Sequence, residues 1–263
     1  MLLKDLIALF ERIAPIGLAE EWDNPGLLIE PETQEITRIL FALDCTPAVA
    51  EEAAARGAQL VFTHHPLFFK PVQRIHHSAP DTAAAYRLIR HGIGLYAAHT
   101  NLDCAMGGVN DALAAAISLM SVRPLATGAF GEPGIGRVGE LPAPLPLSEF
   151  AAFVRDKLSA AVRYGGGATR YVSTVAVVGG SGGDFIHKAK AAGADVLLTG
   201  EIKHSQALEA QIYGISVVEA GHYETERVVL PYLLEGLQSA LDAIQYKVDL
   251  LMADTEHAPL MAP

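Results

Sequence analysis

The sequence contains few cysteines. Among its 263 residues, only Cys45 and Cys104 carry thiols. Two cysteines are too few for a disulfide framework or for a zinc site made of thiolates. The cysteine content therefore predicts a protein of a reducing compartment, and we expect it in the cytoplasm.

Basic residues and long apolar runs are also scarce. The chain has 19 lysines and arginines against 30 aspartates and glutamates, for a net charge of −11. This balance argues against a nucleic-acid partner, because such binders concentrate positive charge on one face. No uninterrupted apolar run approaches the roughly 18 residues of a membrane span. The leucine-rich start contains charged residues and apolar residues at helical spacing, so it predicts an amphipathic helix rather than a signal peptide.

The composition is that of a globular protein. Hydrophobic residues make up 51% of the chain and charged residues 19%. A chain of this length and composition can bury a substantial core in two modest domains or one large one.

An internal repeat favours two domains. Residues 39–66 match residues 175–202 without a gap, at an offset of 136, and both copies show the pattern of a strand, a helix and a second strand ending in threonine. The repeat resumes when residues 92–100 are compared with 214–222, at an offset of 122. Strand-helix-strand units imply parallel pairing with right-handed crossovers. We therefore predict that 39–75 and 175–211 are equivalent units.

The predicted fold class is α/β, with two similar α/β domains from an internal duplication, each having a mixed or mostly parallel sheet flanked by helices. The first domain is expected over residues 1–125 plus about 222–263, and the second over about 126–221, with a metal site between them. The segment Pro124–Pro146 is rich in glycine and proline, which predicts an irregular crossing segment between the domains.

Candidate ligands follow the predicted strands in both copies. His64 and His65 follow one strand, and His99 and Asp103 follow another. Functional groups in open α/β sheets collect beyond the carboxyl ends of the strands. Two adjacent histidines can act together only if the strand has ended at Thr63, because neighbouring strand residues face opposite ways.

The second copy offers His222 and Glu226, which are four residues apart and would share one face of a helix. Imidazole and carboxylate ligands suit Zn²⁺, Mn²⁺, Fe²⁺ or Co²⁺. The number of donors exceeds what one open catalytic ion requires, so two ions are a natural solution. Taken singly, His222 fits a helix cap equally well, and Asp103 fits a turn.

Further polar residues beside the predicted strand ends are candidates for catalysis and substrate binding. Glu201, His99 and His204 could transfer protons, and Lys203 could bind a substrate phosphate as a point charge. The glycine-rich stretch at 179–184 could bind an anion or allow close packing.

Seven stretches carry a family resemblance: EEWDNPGLLI, FTHHPLFF, AAHTNLD, GRVGEL, GGSGGDFI, DVLLTGEIKH and EAGHYETE. In this order they resemble the NIF-three-like family of dinuclear metal-centre proteins, whose members carry the name GTP cyclohydrolase I type 2 homolog. The resemblance implies two metal ions bound by His64, His65, Asp103, His222 and Glu226, with Glu226 shared. It also implies a toroidal homohexamer. The chain departs from many relatives at 203–206, where it reads Lys-His-Ser-Gln.

Two functions are open at the level of sequence. One is a metal-dependent hydrolase acting on a nucleotide, a phosphoester or a cyclic amide. The other is a non-enzymatic metal-binding or scaffold protein. An open coordination position would favour the hydrolase, and closed coordination would favour the binding protein.

Overall fold

The computed structural model describes residues 1–128 and 131–260. The helices are α1 Leu3–Ile13, α2 Pro47–Ala55, α3 Ala83–Arg90, α4 Thr100–Cys104, α5 Val109–Ala116, α6 Leu147–Leu158, α7 Ile186–Ala191, α8 His204–Tyr213, α9 His222–Glu226 and α10 Val229–Ala243. The strands are β1 Gly26–Ile29, β2 Arg38–Ala42, β3 Leu60–Thr63, β4 Gly94–Ala97, β5 Met120–Pro124, β6 Arg137–Pro146, β7 Arg163–Gly165, β8 Tyr171–Ser181, β9 Val196–Glu201, β10 Ser216–Glu219 and β11 Asp249–Met252.

The chain packs as two compact units, each with its own sheet. Unit 1 comprises residues 1–102 and 230–257, and unit 2 comprises 103–229 with the residues from 258 onward. These bounds differ from the predicted division near residue 125, because α5 and β5 belong to unit 2. The last helix of the repeat, α9, also lies in unit 2.

The sheet of unit 1 has the strand order β1-β4-β3-β2-β11. Strands β4, β3, β2 and β11 are parallel, and β1 runs antiparallel to β4. Successive strand residues face opposite sides. Phe41, Phe62 and Tyr96 are paired across the sheet, and their rings form a cluster with Phe10 of α1. The alternate residues, among them Leu40, Val61 and Leu95, are buried with α2 and α3. Helices thus flank both faces.

The sheet of unit 2 has the order β5-β6-β8-β9-β10-β7. Its centre, β8-β9-β10, is parallel, and the strands outside it are antiparallel. One face packs on α5 and α6 through Val175, Val177 and Leu198. The other packs on α7 and α8 through Ala176, Val178 and Leu197. Both sheets are mixed and flanked by helices, as the predicted fold class requires.

The registers of the two sheets confirm the predicted duplication. Ile39 pairs with Leu60 in unit 1, and Val175 pairs with Val196 in unit 2, at the offset of 136 found in the sequence. On the other side, Leu60 pairs with Gly94 and Val196 pairs with Ser216, which reproduces the offset of 122. The strands β3 and β9 therefore occupy equivalent central places.

The segment Pro124–Pro146 was expected to cross between domains, and this prediction is wrong for its second half. Arg137–Pro146 forms β6, which pairs antiparallel with β8 inside unit 2. The strand tolerates its prolines because the register is irregular between Glu140 and Leu145, where Pro142 and Pro144 lie. Residues 129–130 of this segment lie outside the described residues.

Among the helices of the described ranges, none is long and apolar enough to span a membrane.

Candidate metal centre

Three histidines converge in unit 1 at the carboxyl ends of two neighbouring strands. β3 ends at Thr63, as predicted, and His64 and His65 follow it directly; His99 follows β4. The centroids of the His64 and His65 rings are 4.9 Å apart, and those of His64 and His99 are 5.1 Å apart. One ring nitrogen from each histidine lies within 4.8 Å of the other two. The structure therefore brings the adjacent histidines together.

Each of these imidazoles is fixed through Nδ1 by an oxygen acceptor. His64 Nδ1 lies 2.9 Å from the carbonyl oxygen of Ala98, His65 Nδ1 lies 2.9 Å from Asp44 Oδ1, and His99 Nδ1 lies 2.8 Å from Asp23 Oδ1. Since a carbonyl or carboxylate oxygen accepts, Nδ1 carries the proton and a neutral ring keeps its lone pair on Nε2. Histidines that bind metals are typically held by this kind of contact.

Asp23 also anchors the loop that precedes β1. Its second oxygen accepts a hydrogen bond from the backbone N–H of Thr100 at 2.9 Å, as well as one from the Thr100 hydroxyl. Burial alone would raise the pKa of Asp23, but the hydrogen bonds from His99 and Thr100 outweigh it and hold the pKa well below its usual range. Asp23 is therefore an anionic acceptor for His99. Its role was not predictable from the sequence, although it lies within the EEWDNPGLLI stretch.

Unit 2 carries its own group of candidate ligands, which consists of two carboxylates and a histidine. His222 and Glu226 are the first and last residues of α9, and His222 Nε2 lies 3.1 Å from Glu226 Oε2. A carboxylate oxygen of Asp103 lies within 4.8 Å of one from Glu226. Glu226 is only 3% exposed. The predicted helical spacing of His222 and Glu226 is confirmed.

Close backbone approach makes this arrangement of unit 2 possible. A Cβ on Gly180 would lie 2.1 Å from Glu226 Oε1 and 3.0 Å from His222 Nε2, and the φ angle of Gly180 is +61°. The N–H of Gly180 donates to the Thr225 hydroxyl at 3.1 Å. Of the two roles open for the glycine-rich stretch, close packing explains Gly180.

Asn110 links two segments of unit 2 that carry or contact these side chains. Its amide nitrogen donates to the carbonyl oxygen of Asp103 at 3.0 Å, and its amide oxygen accepts from the N–H of Gly179 at 2.9 Å. Arg137, which is fully buried, donates to the carbonyl oxygens of Cys104 and Ala105 just beyond Asp103. Sequence reasoning missed both residues, because the contacts to Gly179, Cys104 and Ala105 that reveal their roles form only in the folded chain.

The remaining predicted site residues divide into those that line a cavity of unit 2 and one that does not. This cavity of about 540 Å³ is lined by Glu201, Lys203 and His222 together with Arg163, Gly221 and Tyr223, among others. Glu201 Oε1 lies 3.4 Å from His222 Nδ1. His204 is exposed in the first turn of α8 and is not part of the lining.

The donors in both units fit a divalent metal ion. They are imidazole nitrogens and carboxylate oxygens, without thiolates, and the histidines of unit 1 present Nε2 while Nδ1 is held. In unit 2, only a glycine at 180 leaves room for Glu226 and His222 where they lie. Fold and site together define a duplicated α/β protein whose His and Glu residues could hold a metal ion.

Comparison with known proteins identifies the family. The sequence model of the family Duf34/NIF3 (NGG1p interacting factor 3) matches residues 1–259. The chain therefore belongs to this family. A relative from Clostridium perfringens named "GTP cyclohydrolase 1 type 2 homolog" is 36% identical over 252 residues, which cover 92% of this chain and 94% of that protein. The resemblance found in the sequence is thereby confirmed.

Solved structures show the same fold. The Staphylococcus aureus protein SA1388 superposes with a TM-score of 0.95 at 31% identity, and the match covers 100% of this chain and 99% of that one. A Bacillus cereus protein related to NIF3 gives a TM-score of 0.94 at 26% identity, with the same coverage. Two similar α/β domains are thus the architecture of the family.

Proposed function

We propose that this chain is a metal-dependent hydrolase that holds two divalent ions. The ligands are His64, His65, Asp103, His222 and Glu226, with Glu226 shared by both ions. The single observation that carries the proposal is the held Nδ1 of His64 and His65, which leaves Nε2 as the ligand atom of each ring. Zn²⁺, Mn²⁺, Fe²⁺ and Co²⁺ all suit this donor set.

Two ions held by these residues would supply a bound water of lowered pKa and positive charge to polarise the bond under attack. Glu201 lines the cavity of unit 2 beside His222, so its carboxylate can accept a proton from a group in that cavity. His99 can take the same role in unit 1 through Nε2, because Asp23 holds its Nδ1. His204, which is exposed and outside the cavity lining, is the weakest of the three candidates.

The substrate is a small molecule with a polar, anionic part. Lys203 and Arg163 both line the cavity of unit 2, and Arg163 forms an ion pair with Glu219. Lys203 thus offers the charge for a phosphate or carboxylate. The names of the relatives support a nucleotide among the candidate classes, beside a phosphoester and a cyclic amide.

Metal content of purified variants tests the ligand set. Glu226→Gln removes a negative charge shared by both ions, so we expect the metal content per subunit to fall at both positions. His64→Ala removes one neutral ligand and should mainly empty one position. Glu224→Gln, on the same helix, is the matched control and should keep its metal. A Glu226→Gln protein that still holds about two equivalents of metal by elemental analysis would rule out sharing.

A second candidate function is a non-enzymatic metal-binding protein, favoured by the number of donors, since the five ligands could close the coordination of their ions. A screen of metal-loaded protein against nucleotides, phosphoesters and cyclic amides separates the two. Turnover that is lost in Glu201→Gln at unchanged metal content supports the hydrolase. Full metal content without turnover of any class supports the binding protein.

A further inference from the structure

Unit 1 exposes two large aromatic side chains beside its three histidines. Trp22, the single tryptophan of the chain, is 61% exposed, and Phe69 is 50% exposed. Their ring centroids are 6.3 Å apart, and they lie 5.9 Å and 5.6 Å from the ring of His99. An exposed pair of rings beside polar side chains indicates a binding site, because exposed aromatic patches often mark such sites.

The loops that carry the two rings are fixed by hydrogen bonds. The amide nitrogen of Asn24 donates to the carbonyl oxygen of Phe68 at 2.7 Å, which ties the two loops together. Asp23, next to Trp22, is fixed by His99 and Thr100. The indole is therefore presented from an anchored loop, and ordering it for a ligand costs little conformational entropy.

Positive charge lies next to this aromatic pair. Phe69 also lines a cavity of about 610 Å³ in unit 1, together with Lys70 and Arg74. Asp81 is the carboxylate of this lining, so cations outnumber it in a chain whose net charge is −11. Within the described ranges, neither Lys70 nor Arg74 takes part in an ion pair.

We propose that Trp22 and Phe69 form a stacking platform for a planar heteroaromatic ring, and that Lys70 and Arg74 bind the anionic group of the same ligand. Stacking on aromatic side chains suits any flat ring, and guanidinium and ammonium groups suit phosphate. A ring on this platform lies next to His99 and hence close to the three-histidine group. As a binding site the platform depends on residues of unit 1 alone and does not rest on the proposed function.

Fluorescence of the single tryptophan tests the platform directly. Adenosine 5′-monophosphate added to the full-length protein should quench Trp22 emission with saturation. Adenosine should quench with weaker affinity, and ribose 5-phosphate should not quench. Phe69→Ala should weaken the affinity for adenosine 5′-monophosphate about tenfold. The Lys70→Ala, Arg74→Ala double variant should weaken it for the nucleotide and leave adenosine unchanged.

Exposed residues elsewhere in unit 1 provide matched controls. Tyr246 is 48% exposed, and the neighbouring Lys247 is also exposed. Tyr246→Ala and Lys247→Ala should bind as the unchanged protein does. Calorimetry on Trp22→Phe and Trp22→Ala extends the test to proteins without the fluorophore, and the phenylalanine variant should retain more affinity than the alanine variant.

Two results would overturn the inference. One is the absence of saturable quenching while acrylamide still reaches Trp22. The other is protection of Trp22 from acrylamide together with a change in sedimentation on Trp22→Ala, which would mean that a second copy of the chain covers the platform. Repeating the titration with metal-stripped and metal-loaded protein separates the two proposals. If the nucleotide quenches Trp22 but the protein binds no metal, only the hydrolase proposal is refuted. If the protein holds two ions but the nucleotide does not quench Trp22, only the platform proposal is refuted.

Discussion

Replacing Gly180 by alanine tests whether the backbone of unit 2 is shaped to fit the candidate metal ligands Glu226 and His222. The added Cβ would lie 2.1 Å from Glu226 Oε1, whereas ordinary contacts begin at 3.4 Å. The carboxylate must therefore move by roughly 1 Å, while metal sites tolerate only about 0.2 Å in their bond lengths. We expect metal affinity to fall at least roughly tenfold, the effect typical of losing a supporting contact.

The positive φ angle of Gly180 means that alanine there also strains the backbone. A second glycine with a similar φ angle but no nearby atoms separates this strain from the collision with Glu226. Gly214 has a φ angle of +65° against +61° at Gly180, and a Cβ there would meet nothing within 4 Å. Both alanine variants should lose about 1 kcal/mol of stability from the left-handed backbone. Only Gly180→Ala should lose metal.

Urea unfolding and elemental analysis of the two variants, side by side, provide the measurement. Equal metal content in Gly180→Ala and Gly214→Ala would refute the reasoning, because it would mean that Glu226 need not lie where the structure has it. A loss of metal in both would assign the effect to backbone strain rather than to contact with the ligands.

Three further predictions concern the stability and assembly of the chain. Burial alone would raise the pKa of Glu52, but hydrogen bonds from Asp254 and Thr255 lower it to about 2. Its stabilisation, on the order of 2 kcal/mol, is therefore complete well above the ordinary pKa of 4.5 and is lost as the pH falls towards 2. The difference in unfolding free energy between the unchanged protein and Glu52→Gln should shrink as the pH is lowered over that range, and a constant difference would contradict this. Arg137→Met should cost about 3–5 kcal/mol in urea unfolding, since it leaves Asp111 and several carbonyls without their buried donor, and Arg137→Lys should restore little because an ammonium lacks the planar fork. We also expect a homohexamer by light scattering, and a monomer at micromolar concentration would contradict the family-based expectation.

The duplicated core was predictable because its signals are local and repeated. Apolar strand residues, a helix and a glycine at 57 and 193 recur at one offset, and both glycines have positive φ angles just after their helices. The registers then follow from aligning the two copies. A repeat supplies the comparison that a single sequence normally lacks.

Other parts of the fold could not be predicted for physical reasons. β11 joins the sheet beside β2, more than 200 residues earlier in the chain, and nothing local in Asp249–Met252 specifies that partner. β6 contains three prolines, which disfavour a strand, and pairing with β8 overrides this propensity. In both strands, tertiary contacts rather than the local sequence determine the structure.

The candidate site, like the fold, has residues that the sequence predicts and residues that it does not. His222 and Glu226 were predictable because one helical turn joins them, and His64 and His65 because they are adjacent. Asp23 was not, since it contacts His99 across 76 positions of sequence. A residue that positions another through a hydrogen bond need not lie at any regular spacing from it in the sequence. Only folding brings the two side chains together.

The duplication also explains how one fold divides the candidate ligands between its copies. At the offset of 136, His64 and His65 correspond to Gly200 and Glu201, and at the offset of 122, α4 corresponds residue for residue to α9. Each copy therefore has two positions for functional groups, the end of its central strand and the short helix that follows the next strand.

The two copies use these positions differently. A Cβ on Gly200 would lie 2.7 Å from the Cα of His222, so a histidine at the strand end of unit 2 would displace the helix that carries His222. A glycine at the strand end is thus the condition for placing the candidate ligands of α9 where they lie. In the first copy the strand end keeps both histidines, and the short helix α4 provides only Asp103. The unequal distribution of the candidate ligands therefore follows from the close approach of Gly200 to His222 in the second copy.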